Sequence, residues 1–270
     1  MTRSLIRVLC GRLVYTLRRW IHWANHREMY ALAHSSKLFP CTAWEHATPL
    51  FRPLPQQESW LQEHKVHNLT LAVARLDGLL LPPKKRFSFW FCVGNPTRRR
   101  GYLPGMVLSN GRVGVGVGGG LCQLSNLLYW MTLHTPLTVI ERSRHGYDVF
   151  PDTHRTQPFG SGATCFYPIL DLVIENRTDQ IYQMHVSVED GRLVGAWRCE
   201  TPPRSHFSIK ERDHRISALP FGASPQKSLC YTRENTLVQI ETCDSGERYE
   251  RVVARNQAIM MYEPFLKEGE

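Results

Sequence analysis

The period of the apolar positions changes several times along this chain, and each change predicts an element. Ile6, Leu9, Leu13, Leu17 and Trp20 share one side of a helical wheel, with Arg3, Arg7, Arg12, Arg18 and Arg19 around the rest, which predicts a basic amphipathic helix at the start of the chain. Residues 31–56 carry Pro40, Pro49, Pro53 and Pro55 without a sustained period, so they read as an irregular, wrapped segment tied down by Trp44, Phe51 and Leu54. Leu69, Val73, Leu76 and Leu80 return to helical spacing before Pro82 and Pro83. Residues 87–93 are aromatic and β-rich and read as a strand. Residues 106–117 read as two strands around Asn110-Gly111, a dipeptide that tolerates positive φ. Gly118, Gly119 and Gly120 then lead into a helix over 121–134, marked by Leu124, Leu127, Leu128 and Met131. A strand follows at Thr138-Val139-Ile140, and beyond Asp171 alternation predicts short strands, including 181–188, 193–197 and 237–242.

This succession predicts an α+β fold: a largely antiparallel sheet with a packed helix following a Gly-rich loop, preceded by the basic amphipathic helix. Its 270 residues suit one core, with residues 1–56 as the helix and wrapped segment, 57–200 as the core domain and 201–270 as a β-rich extension of the same domain. At 42% hydrophobic, 10% aromatic and 21% charged residues, the chain is neither disordered nor a polytopic membrane protein. The formal charge of +9 owes more than half its excess to the five arginines of the first twenty residues, so the body is only mildly basic and no nucleic-acid partner is expected. All eight cysteines lie at least thirteen residues apart with no C-x-x-C, which points to free thiols, no structural metal and a reducing, cytoplasmic compartment. No cofactor is expected. Residues 1–25 admit two readings: a surface helix packed on its own domain, or a helix lying on an anionic membrane at its inner face.

Chemistry concentrates behind the glycines. A turn released from Cβ sterics places Cys122 in a first helical turn, where unpaired amides and the helix dipole favour a thiolate. His145, beyond the next strand, is the natural proton partner, an order shared with papain-like and transglutaminase-like thiol enzymes. Asp148, Asp152 and Asp171 could orient its imidazole, with Asp171 favoured; Gln123 or the Gly119 and Gly120 amides could hold an oxyanion. The bland alternative is a buried core cysteine. A dinucleotide reading also exists, in which Gly114-x-Gly116-x-x-Gly119 cradles a pyrophosphate and Glu141 binds the ribose, but it needs a parallel central strand where Asn110-Gly111 predicts a hairpin.

Phe87-Ser88-Phe89-Trp90, the run from Gly118 through Cys122-Gln123-Leu124-Ser125-Asn126 to Tyr129, His134-Thr135-Pro136, Glu141-Arg142-Ser143 with His145, and Asp171-Leu172 with Asn176-Arg177-Thr178-Asp179 together resemble the VanW family over roughly residues 60–195. The resemblance implies an association with glycopeptide resistance and cell-envelope biology, and brings no reaction with it. Gly118, Gly119, Gly120, Gln123, Ser125, Asn126, Glu141 and Arg142 are the candidate contacts to a peptide-like or anionic small-molecule ligand. Where the family pattern has an aspartate two residues before a threonine, this chain has Gly162 before Thr164. Two functions remain open: a thiol-dependent acyl transferase or amidohydrolase using Cys122, His145 and Asp171, and a non-catalytic accessory module that binds an anionic ligand or partner.

Overall fold

The computed structural model describes residues 5–51, 59–109, 112–149, 157–218 and 231–262. In chain order the elements are α1 (Leu5–Asn25), β1 (Cys41–Pro49), α2 (Ser59–Val73), β2 (Leu80–Leu81), β3 (Arg86–Ser88), α3 (Phe89–Val93), β4 (Pro104–Ser109) and β5 (Arg112–Val117). They continue as α4 (Cys122–Thr132), β6 (Thr138–Glu141), β7 (Tyr147–Asp148), β8 (Val173–Glu175), β9 (Tyr182–Glu189), β10 (Arg192–Cys199), β11 (Ser205–Ala218), β12 (Tyr231–Cys243) and β13 (Arg248–Met260). The α+β class and the antiparallel pairing expected from the sequence are both present. The single sheet is not: strands group as β1-β10-β9-β2, β11-β12-β13-β7, β3-β8-β6 and the β4-β5 hairpin. Among these named strands only β13 and β7 run parallel.

Helix α4 is the centre of the core, with Leu124, Leu127, Leu128 and Met131 all buried as their spacing requires. It crosses β10 at Gly195, where a Cβ would stand 2.6 Å from Met131 Sδ and 3.0 Å from Leu127 Cδ2. Only the missing side chain lets helix and strand approach this closely. On the same strand the buried Trp197 indole donates to Thr132 Oγ1 at 3.1 Å.

Two local expectations fail. The wrapped segment contains β1, which pairs with β10 from Cys41↔Cys199 to Pro49↔Arg192. Pro40 precedes the strand and Pro49 is its last residue, on a sheet edge where a missing N–H costs no ladder bond. Residues 87–93 divide between β3 and α3, because Ser88 Oγ accepts the Phe91 N–H at 3.1 Å and caps a short helix that aromatic composition does not announce. The turn at Asn110-Gly111 lies outside the described residues.

Strands β11, β12 and β13 pair as an antiparallel sheet in chain order, and its buried amides reach into the rest of the chain. Gln239 donates to Leu133 O at 2.6 Å, and Asn235 donates to Phe159 O at 2.7 Å. Asn256 in turn donates to Asn235 Oδ1 at 2.8 Å.

Candidate active site

The three glycines form a turn packed against β4 rather than an open anion cradle. Gly118 and Gly120 take φ of +76° and +94°, the left-handed region that glycine occupies without strain. A Cβ on Gly119 would fall 2.1 Å from the Gly105 carbonyl carbon, so two backbones touch here. The three amides are engaged: Gly118 N–H donates to Leu103 O, Gly119 N–H to Gly116 O and Gly120 N–H to Met106 O. Asn68, fully buried on α2, donates to Gly119 O at 3.0 Å and locks the turn. The expected oxyanion contact from Gly119 and Gly120 is therefore corrected. The N–H groups of Leu121 and Cys122 make no hydrogen bond among the described residues, as a helix start leaves them.

Cys122, part-exposed at the first turn of α4, has two sets of partners. As a neutral thiol it donates to Cys165 O at 3.6 Å. As a thiolate it accepts the S–H of Cys165, whose sulfur is 3.6 Å away. That bond leads the effects that hold Cys122 well below the ordinary thiol value, against the opposing effect of burial; the His145 imidazole adds a hydrogen bond and its charge. Burial first, then the neighbouring sulfur, pushes Cys165 well above the ordinary value. The pair shares one ionisation, and Cys122 carries it.

His145 thus acts on the Cys122 thiol, and so does Cys165, which the sequence did not single out. It is one of eight scattered cysteines, and the isolated bridge between Ser143 and Thr164, with Thr164 N–H donating to Ser143 O at 2.8 Å, brings the loop that leads to His145 beside it. The other side of the His145 loop is held by β13, through Ile259 N–H to Gly146 O at 3.0 Å and the parallel β7 pairing. Residues 248–260, read from sequence as an extension, in this way hold the backbone that follows His145.

The expected aspartate does not orient that ring. Asp171 is fully buried and accepts from Ser88 Oγ at 2.5 Å, Trp90 N at 3.0 Å and Leu172 N at 2.9 Å, bracing the start of α3. Burial pushes its pKa up to about 6, against the lowering effect of the Ser88 and Trp90 bonds. Asp148 pairs with Arg233 at 3.5 Å and accepts from Tyr262 OH at 2.8 Å. Asp152 lies outside the described residues.

The remaining expected ligand contacts are turned toward the protein. Gln123 donates to Thr48 Oγ1 and Pro49 O, both at 3.0 Å, and so ties α4 to β1. Ser125 Oγ donates to Ala163 O at 2.7 Å, and Asn126 Oδ1 accepts the Ala163 N–H at 2.7 Å. Gly162 fits this clasp, since a Cβ there would meet Asn126 Oδ1 at 2.7 Å. Arg142 donates to Gly162 O at 2.8 Å and to Gly160 O, with its guanidinium 4.4 Å from the Tyr129 ring centroid. Glu141 is paired by Arg19 of α1. These residues shape the loop carrying Cys165. The dinucleotide fingerprint also loses its setting, because β5 pairs with β4 alone, in an antiparallel hairpin.

Fold and site define an α+β protein built around a cysteine that opens a buried helix, with a second thiol and an imidazole at its sulfur. The chain belongs to the VanW family: the family described as VanW like protein matches residues 64–198. It is 36% identical over 180 residues to the vancomycin B-type resistance protein VanW of Enterococcus faecalis, covering 67% of this chain and 66% of that protein. It is 34% identical over 128 residues to the uncharacterized protein YoaR of Bacillus subtilis, covering 47% of this chain and 41% of the relative. The matches thus span just under two thirds of one curated relative and well under half of the other. No solved structure matches. No helix among the described residues is long and apolar enough to cross a membrane.

Proposed function

We propose that this chain is a thiol-dependent acyl transferase or amidohydrolase acting on a peptide-like substrate, and that it works in glycopeptide resistance or cell-envelope biology. The relative named as a vancomycin resistance protein supports the biological setting. The carrying observation is geometric: the Cys122 sulfur sits at a helix start 3.6 Å from the Cys165 sulfur, and the Cys165 thiol and the His145 imidazole both favour its thiolate. In the reaction the Cys122 sulfur attacks the substrate carbonyl carbon, and a C–S bond forms as the C–N bond breaks. His145 passes its proton to the departing amine, and water or a second amine then takes the acyl group from sulfur. The Cys122 and Leu121 amides are the donors available to a developing oxyanion.

The test is alkylation of the intact chain with iodoacetamide, read cysteine by cysteine by peptide mass spectrometry across pH. Cys122 should react half-maximally well below about pH 8.5, the ordinary thiol midpoint, and faster at neutral pH than Cys10 despite the greater exposure of Cys10. His145→Asn and Cys165→Ala should each move that midpoint upward. A Cys122 that labels only on unfolding, or whose midpoint ignores both substitutions, overturns the proposal.

A further inference from the structure

Helix α1 faces the wrong way for a helix that merely packs on its own domain. The side turned to the body carries Arg12, Thr16, Arg19, Trp23 and His26, at alternating spacings of four and three. Arg19 pairs with Glu141 and donates to Ile169 O at 3.2 Å. Trp23 is buried against Phe91 and Tyr167, and Arg12 stands 4.8 Å from the Phe166 ring centroid. The apolar side points to solvent: Leu9 is 63% exposed and Leu13 60%, and Val14, Leu17, Trp20 and Ile21 are exposed beside them. At about 1.5 Å per residue, Leu9 to Ile21 is an apolar stripe of about 18 Å. Soluble domains bury such a stripe or pass it to a partner.

Charge decides between partners. Residues 5–25 contain Arg7, Arg12, Arg18 and Arg19 and no acidic residue. Arg18 is exposed on the flank of the stripe, and with Tyr15, Arg19, His22 and Ile169 it lines a cavity of about 210 Å³. A second copy of the chain laid on the stripe would set like charges against each other, whereas a sheet of anionic headgroups meets both the stripe and the arginines.

We infer that α1 seats the protein on an anionic lipid surface, with Leu9, Leu13, Val14, Leu17 and Ile21 entering the headgroup–acyl boundary and Arg18 at the phosphates. On the protein side α1 rests on residues 166–169, which follow Cys165 in the chain. The inference stands independently of any thiol chemistry, since it concerns a surface that Cys122 does not share.

The experiment is co-sedimentation of the full chain with vesicles of phosphatidylcholine alone and with vesicles containing about one third phosphatidylglycerol, at low and high salt. The chain should sediment with the anionic vesicles at low salt, be released by high salt and stay in solution with phosphatidylcholine. Arg18→Ala should weaken partitioning about fivefold. The double variant Leu13→Glu with Leu17→Glu should weaken it about tenfold or more, with unchanged thermal unfolding because both sites are exposed. Failure of the wild type to sediment, equal binding to both vesicle types, or indifference to the double variant overturns the inference. So does a wild-type dimer in light scattering that the double variant abolishes while neither protein binds vesicles, which would assign the stripe to a second copy.

Discussion

Replacing Asp171 by asparagine removes a charge that its surroundings stabilise poorly while preserving most of its hydrogen bonds. Well below pH 3.8 the carboxyl is protonated in both the folded and the unfolded chain, and no charge has to be buried. As pH rises the unfolded chain ionises first, from 3.8, whereas the folded carboxyl holds its proton to about 6. The folded state therefore binds more protons across that window, and its stability falls as pH rises. A displacement of about two units corresponds to about 3 kcal/mol, fully lost above about pH 6. In Asp171→Asn, Oδ1 still accepts from Trp90 N and Leu172 N; Ser88 Oγ loses the acceptor at 2.5 Å, at about 1 kcal/mol. The variant should thus be about 2 kcal/mol more stable than the wild type at about pH 8 and slightly less stable at about pH 4. Urea unfolding of both proteins across that range reads the difference, and other titrating groups cancel. A wild-type-minus-variant difference that stays flat with pH would refute the assignment. Because Asp171 accepts no hydrogen bond from His145, the pH profile of Cys122 alkylation should hardly move in the same variant.

The glycine turn and the α1 contact make two further predictions. Gly119→Ala forces a Cβ to within 2.1 Å of the Gly105 backbone and should cost about 3 kcal/mol or more, well above Gly11→Ala, where nothing lies within 4 Å; equal urea midpoints would remove the close approach. Arg19→Ala leaves Glu141 without its paired guanidinium and should loosen α1 by about 2 kcal/mol, read as faster hydrogen exchange in residues 12–25 with little change elsewhere. Unchanged exchange there would mean that Trp23 alone anchors the helix.

Elements whose cause is local were legible along the chain. Spacing of Leu124, Leu127, Leu128 and Met131 located α4 to within about two residues, and the glycines before it marked where it begins. Strands β9 and β10 followed from alternation and Asp190-Gly191, with Asp190 taking the positive φ of 48° that the turn requires. Where the cause was distant, reading failed. Proline-bearing residues 41–49 become a strand because β10 offers an edge, and β-rich residues 89–93 become a helix because Ser88 and Asp171 cap and brace it.

The same division runs through the site. A cysteine after three glycines, at the head of an apolar helix, is a local pattern, and so were Cys122 and its helix-start environment. That its sulfur meets Cys165, that the backbone following His145 is held by β13, that Asp171 turns to Ser88 and that the apolar side of α1 points outward all depend on contacts between residues tens to more than a hundred positions apart. Backbone torsions and side-chain period act over a few residues and are written in order along the chain. Which thiol, carboxylate or helix face meets which neighbour is decided only when the core closes, since packing and burial compare all segments at once.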